Sequence, residues 1–299
     1  MTDFQGGGAK VRMAPAGLAL LVATSVGWGI NFPIMKNLLT EWPPLSARGL
    51  TGAVGALALA AIAIQRRQKL SVPRRLWLRL LLVSILTITS WVAFMGLALL
   101  WLSASEAAIL SMSVPVWAAI FAWPVLGERF SVLRGIGLAV AMGGIAVLIG
   151  GDGLNASFDK WPGILCVTLG AMSVALGTVL TKHFPLAMPP ISLAAWQLWI
   201  GCLPVVAVGL LIEHPDVHAL SSVGWLSLTY MTFIQFCLSY VCWFAALERL
   251  PAGTASIGTL LVPVVGVLAS AAMLHEPLGA REIGALVVTL AGVAVALKA

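Results

Sequence analysis

Long apolar stretches alternate with short polar connections along the whole chain. An apolar stretch of about 20 residues is long enough to cross a lipid bilayer as an α-helix. The stretches of this length cover residues 14–38, 43–64, 76–100, 103–126, 131–150, 161–182, 190–212, 223–247, 252–274 and 279–298. The sequence therefore predicts an all-α polytopic membrane protein with ten transmembrane helices, preceded by a tail at residues 1–13.

The composition supports a membrane protein. Of the 299 residues, 60% are hydrophobic and 9% are charged, whereas about a quarter of the residues of an average soluble protein are charged. The formal net charge is +6, but the basic residues lie in the connections and form no basic face, which argues against a nucleic-acid partner. The four cysteines fall within apolar stretches, where we expect them to pack as small apolar residues.

The basic residues are distributed unequally between the two sides of the predicted membrane. The connection at 65–79, on the side of the amino terminus, is the richest, with Arg66, Arg67, Lys69, Arg74, Arg75 and Arg79. The opposite side holds Lys36, Lys160 and Arg281, with Arg48 close to it. Because cytoplasmic connections carry an excess of Lys and Arg, both termini are predicted to be cytoplasmic.

The chain contains an internal duplication, in which landmarks recur at a shift of 146 positions early in each half and 148 positions later. The matched landmarks are Lys36 and Lys182, "PPLS" (43–46) and "PPIS" (189–192), "VPV" (114–116) and "VPV" (262–264), and Glu128 and Glu276. Each copy has five spans, so the second enters the membrane from the opposite face. We predict two inverted five-helix repeats, at 14–150 and 151–299. Secondary transporters often have this plan, although channels and scaffolds are also built by duplication.

Four segments resemble motifs of the drug/metabolite transporter (DMT) superfamily, and more specifically of its EamA-type ten-helix exporters. These segments are "WGINFPIMK" (28–36), "PPLSARGL" (43–50), "PVWAAIFAWPVLGERFS" (115–131) and "PVVGVLASAAMLHEPLGAREIG" (263–284). Within the superfamily the chain most resembles amino-acid exporters, including the YddG-like aromatic amino acid exporters. The resemblance implies export across a bacterial inner membrane by alternating access, with spans one, three, four, six, eight and nine around a central cavity.

Prolines inside the spans predict helix bends. Proline lacks an N–H and crowds the carbonyl four residues before it, so Pro33, Pro115 and Pro263 should each loosen a helical turn. Pro115 and Pro263 are equivalent in the two repeats. We interpret the three prolines as gating bends, and a packing kink without any role in transport is the alternative.

Neutral polar and aromatic residues deep in the spans are the candidates for substrate contact. Together with Glu106 at the start of span four, the candidates are Trp28, Asn31, Ser90, Trp91, Glu106, Ser111, Tyr240 and Trp243. An aromatic cavity with a few hydrogen-bonding groups suits a small amphipathic metabolite such as an aromatic or neutral amino acid. The alternative is that these tryptophans pack between helices or face lipid.

Two charged residues near the membrane each have a competing interpretation. Ser103 and Glu106 fit a capping box that opens span four, and the alternative for Glu106 is an acidic group that attracts a substrate amine or carries a proton. Arg48 lies close to the start of span two, where its side chain could extend to the outer interface. The alternative for Arg48 is a contact with a substrate carboxylate.

The sequence contains neither a G-x-x-x-x-G-K-[ST] phosphate loop nor an H-E-x-x-H or G-x-S-x-G motif. We therefore expect no enzymatic activity, no cofactor and no metal site. The expected partners are a small-molecule substrate and the lipid bilayer, the expected state is a monomer, and proton coupling is left open. A drug or general metabolite exporter or facilitator is the alternative within transport, and a non-transporting membrane scaffold is the alternative outside it.

Overall fold

The computed structural model describes residues 15–127, 131–150, 153–250, 254 and 258–298. Within these ranges the long elements are all helices. In chain order they are α1 (Pro15–Leu38), α2 (Pro44–Gln65), α3 (Arg74–Ala98), α4 (Ala104–Leu126), α5 (Val132–Gly150), α6 (Gly153–His183), α7 (Pro190–Ile212), α8 (Ser222–Leu247), α9 (Leu261–Leu274) and α10 (Ala280–Lys298). We call the side of the membrane at which α1 ends and α2 begins the far side, and the opposite side the near side.

The predicted all-helical membrane fold is confirmed. Among the described residues, nine helices are long and apolar enough to cross a membrane, and α9 is a shorter apolar helix. The predicted tail at 1–13 lies outside the described residues. The predicted span 252–274 is described at residue 254 and from residue 258 onward. The cysteines are free, and Cys202, Cys237 and Cys242 are buried.

Several helices are interrupted near their middles. A turn at Ile30 divides α1, whereas its repeat mate α6 is continuous from Gly153 to His183. The mates α3 and α8 each contain a π-helical segment, at Ile85–Thr89 and Met231–Leu238. The interruption in α1 therefore belongs to one repeat only, whereas the π-segments belong to both.

Helices that correspond in the two repeats pack against each other in two pairs, α2 with α7 and α5 with α10. Glycines allow these backbones to approach closely. A Cβ atom added to Gly137 of α5 would lie 2.6 Å from the Ala296 nitrogen of α10, and one added to Gly49 of α2 would overlap the Val206 nitrogen of α7. The two repeats are therefore joined by close helix–helix packing.

The pair α2–α7 is also joined at both ends by helix caps. On the far side, Glu213 after the end of α7 accepts hydrogen bonds from the Leu45 N–H (3.0 Å), the Ser46 N–H (2.7 Å) and the Ser46 hydroxyl (2.7 Å). On the near side, Gln68 after the end of α2 accepts from the N–H (3.3 Å) and hydroxyl (3.5 Å) of Ser192. The end of each helix thus caps the start of the other, and we call these contacts the reciprocal caps.

Candidate functional site

Three aromatic residues of α1 and α8 lie together in the middle of the bundle. The ring centroid of Trp28 lies 5.6 Å from that of Tyr240, with the rings at 74°, and 5.8 Å from that of Trp243. Tyr240 in turn contacts Phe244 at a centroid distance of 6.4 Å. We call Trp28, Tyr240 and Trp243 the aromatic cluster. The three residues were predicted as cavity residues, and the fold places them in contact.

The π-segment of α8 positions this cluster. In a π-helix the bonds run between residues five apart, and the Ser239 hydroxyl adds such a bond to the Ile234 carbonyl at 2.9 Å. The Gln235 carbonyl accepts a hydrogen bond from the Trp28 indole at 3.3 Å. The Tyr230 hydroxyl donates to the Gly27 carbonyl at 3.1 Å. The π-segment and Tyr230, which directly precedes it, therefore hold α1 at the turn that carries Trp28.

Two buried amide side chains near the aromatic cluster have unpartnered oxygens. Asn31, one turn after Trp28 on α1, is 7% exposed, as is Gln235 on α8. Among the described residues, neither Asn31 Oδ1 nor Gln235 Oε1 has a hydrogen-bond partner. A buried acceptor without a partner costs about 1–3 kcal/mol. A ligand that donates hydrogen bonds could recover this cost.

The backbone before each of the equivalent prolines Pro115 and Pro263 contains the same three-residue hydrogen bond. The Val114 N–H bonds to the Ser111 carbonyl within a short 3-10 segment, Ser111–Ser113. The Val262 N–H bonds to the Thr259 carbonyl at 3.0 Å. In both places a tighter three-residue bond replaces the helical bond to this carbonyl that the proline cannot form.

The bend in α1 lies against α9. The turn at Ile30 comes three residues before Pro33, which is buried. A Cβ atom added to Gly29 would lie 2.6 Å from Val265 Cβ, and one added to Gly266 would lie 3.5 Å from the Gly29 carbonyl oxygen. Glycine at position 29 is therefore needed for α1 and α9 to approach at this bend, whereas the contact of Gly266 is of ordinary van der Waals length.

The predicted residues of α3 and α4 have other contacts. The Ser90 hydroxyl donates to the Ile85 carbonyl at 3.0 Å and the Ser111 hydroxyl donates to the Ala108 carbonyl at 2.6 Å, both within their own helices. Trp91 is half-buried and faces α6, where a Cβ added to Gly170 would lie 3.7 Å from its ring. No ring contact joins Trp91 to the aromatic cluster among the described residues.

Glu106 lies at the far-side end of α4 and forms the predicted capping box. Its backbone N–H donates to the Ser103 hydroxyl at 3.1 Å, and its Oε2 accepts from the Ser103 N–H at 2.9 Å. Its Oε1 accepts from Lys160 Nζ of α6 at 2.7 Å. One carboxylate oxygen of Glu106 is therefore part of the helix cap, and the other joins α4 to α6 on the far side.

Two further far-side contacts join the ends of different helices. Glu276, after α9, accepts from the Ala104 N–H (2.7 Å), the Ser105 N–H (2.9 Å) and the Ser105 hydroxyl (2.6 Å) at the start of α4. Lys36 of α1 donates to the carbonyls of Leu99 (2.5 Å) and Leu102 (2.9 Å) between α3 and α4. The far-side ends of α1, α4, α6 and α9 are thus connected by charged groups.

Arg48 is the residue for which the sequence left two positions open, at the membrane interface or in contact with a substrate. Its side chain was expected to extend to the membrane interface, and this is wrong because Arg48 is buried with 1% exposure. The small residues around it on α2, Ala47, Gly49 and Gly52, are the signal that could have indicated burial, since such residues line close helix contacts.

A groove of about 560 Å³ lies apart from the aromatic cluster, between α1, α8 and α9. Its lining residues are Ile34, Asn37, Val223, Leu226, Ser227, Thr229, Tyr230, Phe233, Ile234, Met273 and Leu274. Leu226 and Phe233 are more than half exposed, so the groove faces the bilayer. Within the described residues, no group of three or more His, Cys, Asp or Glu side chains is placed to hold a metal ion.

Comparison with known sequences gives a family match over both halves of the chain. The sequence model of the EamA-like transporter family matches residues 15–150 and, a second time, residues 161–298. The two matches agree with the duplication seen in the sequence and in the helix pairs α2–α7 and α5–α10.

Individual relatives match over most of their length. Two proteins described as a probable amino-acid metabolite efflux pump, from Salmonella typhimurium and Escherichia coli, are 32% and 31% identical, over 87% of this chain and 86% of each relative. The uncharacterized transporter YvbV of Bacillus subtilis is 30% identical over 86% of this chain and 83% of its own. A solved crystal structure with 19% identity superposes with a TM-score of 0.69, over 94% of this chain and 96% of the other, and shows the same fold.

Proposed function

Because the chain belongs to the EamA-like transporter family, we propose that it is a secondary exporter of aromatic or neutral amino acids or related small metabolites. Family membership makes it a multi-pass membrane transporter and not an enzyme. The observation that carries the substrate class is the aromatic cluster beside the unpartnered oxygens of Asn31 and Gln235. Rings bind an apolar side chain, and amide oxygens accept hydrogen bonds from an ammonium group.

The relatives add independent support for this substrate class. Both proteins described as probable amino-acid metabolite efflux pumps match nearly the whole chain at more than 30% identity. Amino acids are therefore the first compounds to test.

The proposed mechanism is alternating access between the two five-helix repeats, 14–150 and 151–299. The matched bends at Pro115 and Pro263 supply one flexible turn in each repeat, and the bend at Pro33 supplies a third next to the aromatic cluster. The contacts of Glu106, Glu276 and Lys36 would have to separate for release on the far side. Rocking of repeats about a central site is the general behaviour of inverted-repeat transporters.

The proposed setting is the inner membrane of a bacterium, with the near side and both termini in the cytoplasm. The support is the excess of Lys and Arg in near-side connections such as 65–79. Accessibility of single cysteines introduced at Arg66 and at Asp216 to a membrane-impermeant thiol reagent in intact cells, in a chain without its native cysteines, tests this orientation. Labelling at 216 and protection at 66 are expected, and the reverse result would invert the topology.

Flux into liposomes tests the function. The purified chain is reconstituted and supplied with a panel of labelled amino acids, with and without a pH gradient. Uptake of at least one aromatic or neutral amino acid above empty liposomes is expected, and a panel without any uptake would remove this substrate class. Flux that ignores the gradient would identify a facilitator, and flux of unrelated drugs at equal rates would identify a general exporter.

Two substitutions test the placement of the site. Tyr240→Ala removes a ring of the aromatic cluster and should lower flux about tenfold, whereas Phe233→Ala on the same helix, where the ring faces lipid, should leave flux unchanged. Asn31→Ala should lower flux roughly three- to tenfold, with Asn37→Ala of the same helix as its control. Wild-type flux in both Tyr240→Ala and Asn31→Ala, at wild-type abundance, would place the site elsewhere.

A further inference from the structure

Arg48 is a charged residue enclosed by the bundle. It lies one turn into α2, and its side chain has 1% exposure. Its stem passes Gly96 of α3, where an added Cβ atom would lie 2.8 Å from Arg48 Cδ. The glycine on α3 therefore leaves the space that the arginine stem occupies. The guanidinium is directed into the protein and away from lipid.

The guanidinium has no partner in the described part of the chain. Its Nε atom is buried without a hydrogen-bond acceptor, and residues 15–127, 131–150, 153–250, 254 and 258–298 supply no carboxylate or carbonyl that bonds to it. Removing a cation from water is costly unless an anion and hydrogen bonds replace the lost hydration. An anionic group that joined Arg48 would replace part of the lost hydration.

The helix that carries Arg48 also contacts the helices around the proposed site. A Cβ atom added to Gly52, one turn after Arg48, would overlap Cys202 Sγ of α7 and would lie 3.5 Å from the ring of Phe236 on α8. Phe236 lies one turn before Tyr240 on the same helix. The Tyr240 ring contacts Trp28 at 5.6 Å. The residues around Arg48 thus connect α2 and α7 with the aromatic cluster of α1 and α8.

We propose that Arg48 binds the carboxylate of the transported compound, an inference that rests on the proposed function. A guanidinium offers two parallel N–H donors that match the two oxygens of one carboxylate. The aromatic cluster would hold the side chain, and the oxygens of Asn31 and Gln235 would accept from the ammonium group. The site would thus take a zwitterion with an apolar side chain.

The chemistry of the site favours a carboxylate over a phosphate. One guanidinium balances one negative charge, and the mate of Arg48 in the second repeat is Ala194, which adds none. A phosphate group carries a larger negative charge and would need further cations. The duplication therefore provides one anion site and not a symmetric pair.

Ligand-induced thermal stabilisation of the full-length purified protein tests this inference in detergent. The probes are matched pairs that differ only in the carboxylate, namely phenylalanine with phenylalaninamide and phenylacetate with phenylacetamide. For the wild type, the carboxylate of each pair should bind at least about 30-fold more tightly than its amide, which corresponds to about 2 kcal/mol. Equal binding within both pairs would overturn the inference without any variant.

Variants test whether Arg48 causes the preference for the carboxylate over its amide. Arg48→Gln should abolish the preference for the carboxylate, and Arg48→Lys should keep part of it, because an ammonium retains the charge but not the two-donor geometry. Arg66→Gln, which removes the same charge from the exposed end of α2, should keep the full preference. An Arg48→Gln protein that folds and still prefers the carboxylate 30-fold would overturn the inference.

The experiment separates failure of this inference from failure of the proposed function. If amino acids are transported but phenylalanine and its amide bind equally, the function stands and the role of Arg48 is wrong. If no amino acid is transported while phenylacetate still binds 30-fold better than phenylacetamide through Arg48, the carboxylate site stands and the substrate is another carboxylate. If Arg48→Gln does not fold, the inference is tested by the binding of carboxylate and amide to the wild type and to Arg48→Lys.

Discussion

The interface of α1 with α8 differs from its repeat mate, the interface of α6 with α3. The first holds the aromatic cluster and Asn31. At the equivalent positions of the second, Trp28 becomes Val174, Asn31 becomes Gly177 and Tyr240 becomes Val92. The duplication has preserved the helices but not these three side chains. A buried polar group without a partner is costly, and among the described residues the unpartnered oxygens of Asn31 and Gln235 lie in the first interface and not in the second.

In the second interface, side chains of α3 pack closely against the backbone of α6. A Cβ atom added to Gly177 of α6 would lie 2.5 Å from Thr87 Cγ2 of α3 and 3.0 Å from Leu86 Cβ. The helix α6 is also continuous where α1 is interrupted at Ile30. The α1–α8 interface is also a close helix contact, since a Cβ atom added to Gly27 of α1 would overlap Ser239 Oγ of α8. Among the described residues, it differs from the α6–α3 interface by its unpartnered polar atoms next to a bend.

The largest expected effect comes from disturbing the closely packed interface. Gly177→Ala places a methyl group against Thr87 and should lower the free energy of unfolding by about 1–3 kcal/mol. Gly143→Ala on α5 is the control, because an added Cβ there meets nothing within 4 Å. Unfolding curves of the two variants in detergent measure the difference. Equal stability would show that α3 and α6 are not closely packed, and the contrast between the two interfaces would fail.

The reciprocal caps allow a second comparison, between the far and near sides. Glu213→Ala removes three hydrogen bonds of 3.0 Å or less from the start of α2, with a carboxylate at a helix amino terminus, and should cost about 1–2 kcal/mol. Gln68→Ala removes bonds of 3.3 and 3.5 Å to a neutral group and should cost about 0.5 kcal/mol or less. The same unfolding curves rank the two variants. A larger loss for Gln68→Ala would reverse the comparison.

The smallest expected effect is a pH dependence confined to the far side. The Ser221 hydroxyl and N–H, each at 2.7 Å, lower the pKa of Glu41 below its usual 4.5. A depressed pKa in the folded state means that this carboxylate stabilises the protein above pH 4.5 and stops doing so as the pH falls through the folded value. The repeat mate of Glu41 is Ala187, which cannot titrate.

The melting temperature of Glu41→Gln against pH measures this contribution. The wild type should melt at a higher temperature than Glu41→Gln at pH 6, and the two curves should converge below the folded pKa of Glu41. Glu248→Gln is the control, since Glu248 is exposed and faces Arg249 at 3.6 Å, and should follow the wild type. Parallel curves for wild type and Glu41→Gln would show that the two Ser221 bonds contribute nothing.

Hydropathy was sufficient to predict most of the fold. The predicted spans 43–64, 131–150 and 279–298 differ by only one residue at their starts from α2 (Pro44–Gln65), α5 (Val132–Gly150) and α10 (Ala280–Lys298), because the boundary between lipid and water is itself a hydropathy boundary. The capping box of Ser103 and Glu106 was also predicted correctly, since it depends on residues three apart.

The site depends on contacts between distant residues and was predicted less completely. Trp28, Tyr240 and Trp243 were selected and lie together, whereas Ser90, Ser111 and Glu106 form other contacts. The π-segments have no hydropathy signal, because they arise from bond shifts supported by serine hydroxyls. The burial of Arg48 depends on Gly96 of another helix, which the local pattern around "PPLSARGL" does not show.

The reciprocal caps have a consequence for the membrane that surrounds the protein. The helices α2 and α7 have 22 and 23 residues, or about 33–35 Å at 1.5 Å per residue, close to the hydrocarbon thickness of an ordinary bilayer. One additional residue in α2 alone would rotate its end by about 100° and carry Gln68 away from Ser192. The lengths of α2 and α7 can therefore change only together if both reciprocal caps are to be kept. In a thinner bilayer the pair has to tilt as one unit or the lipid has to deform, so the caps fix the bilayer thickness that suits this protein.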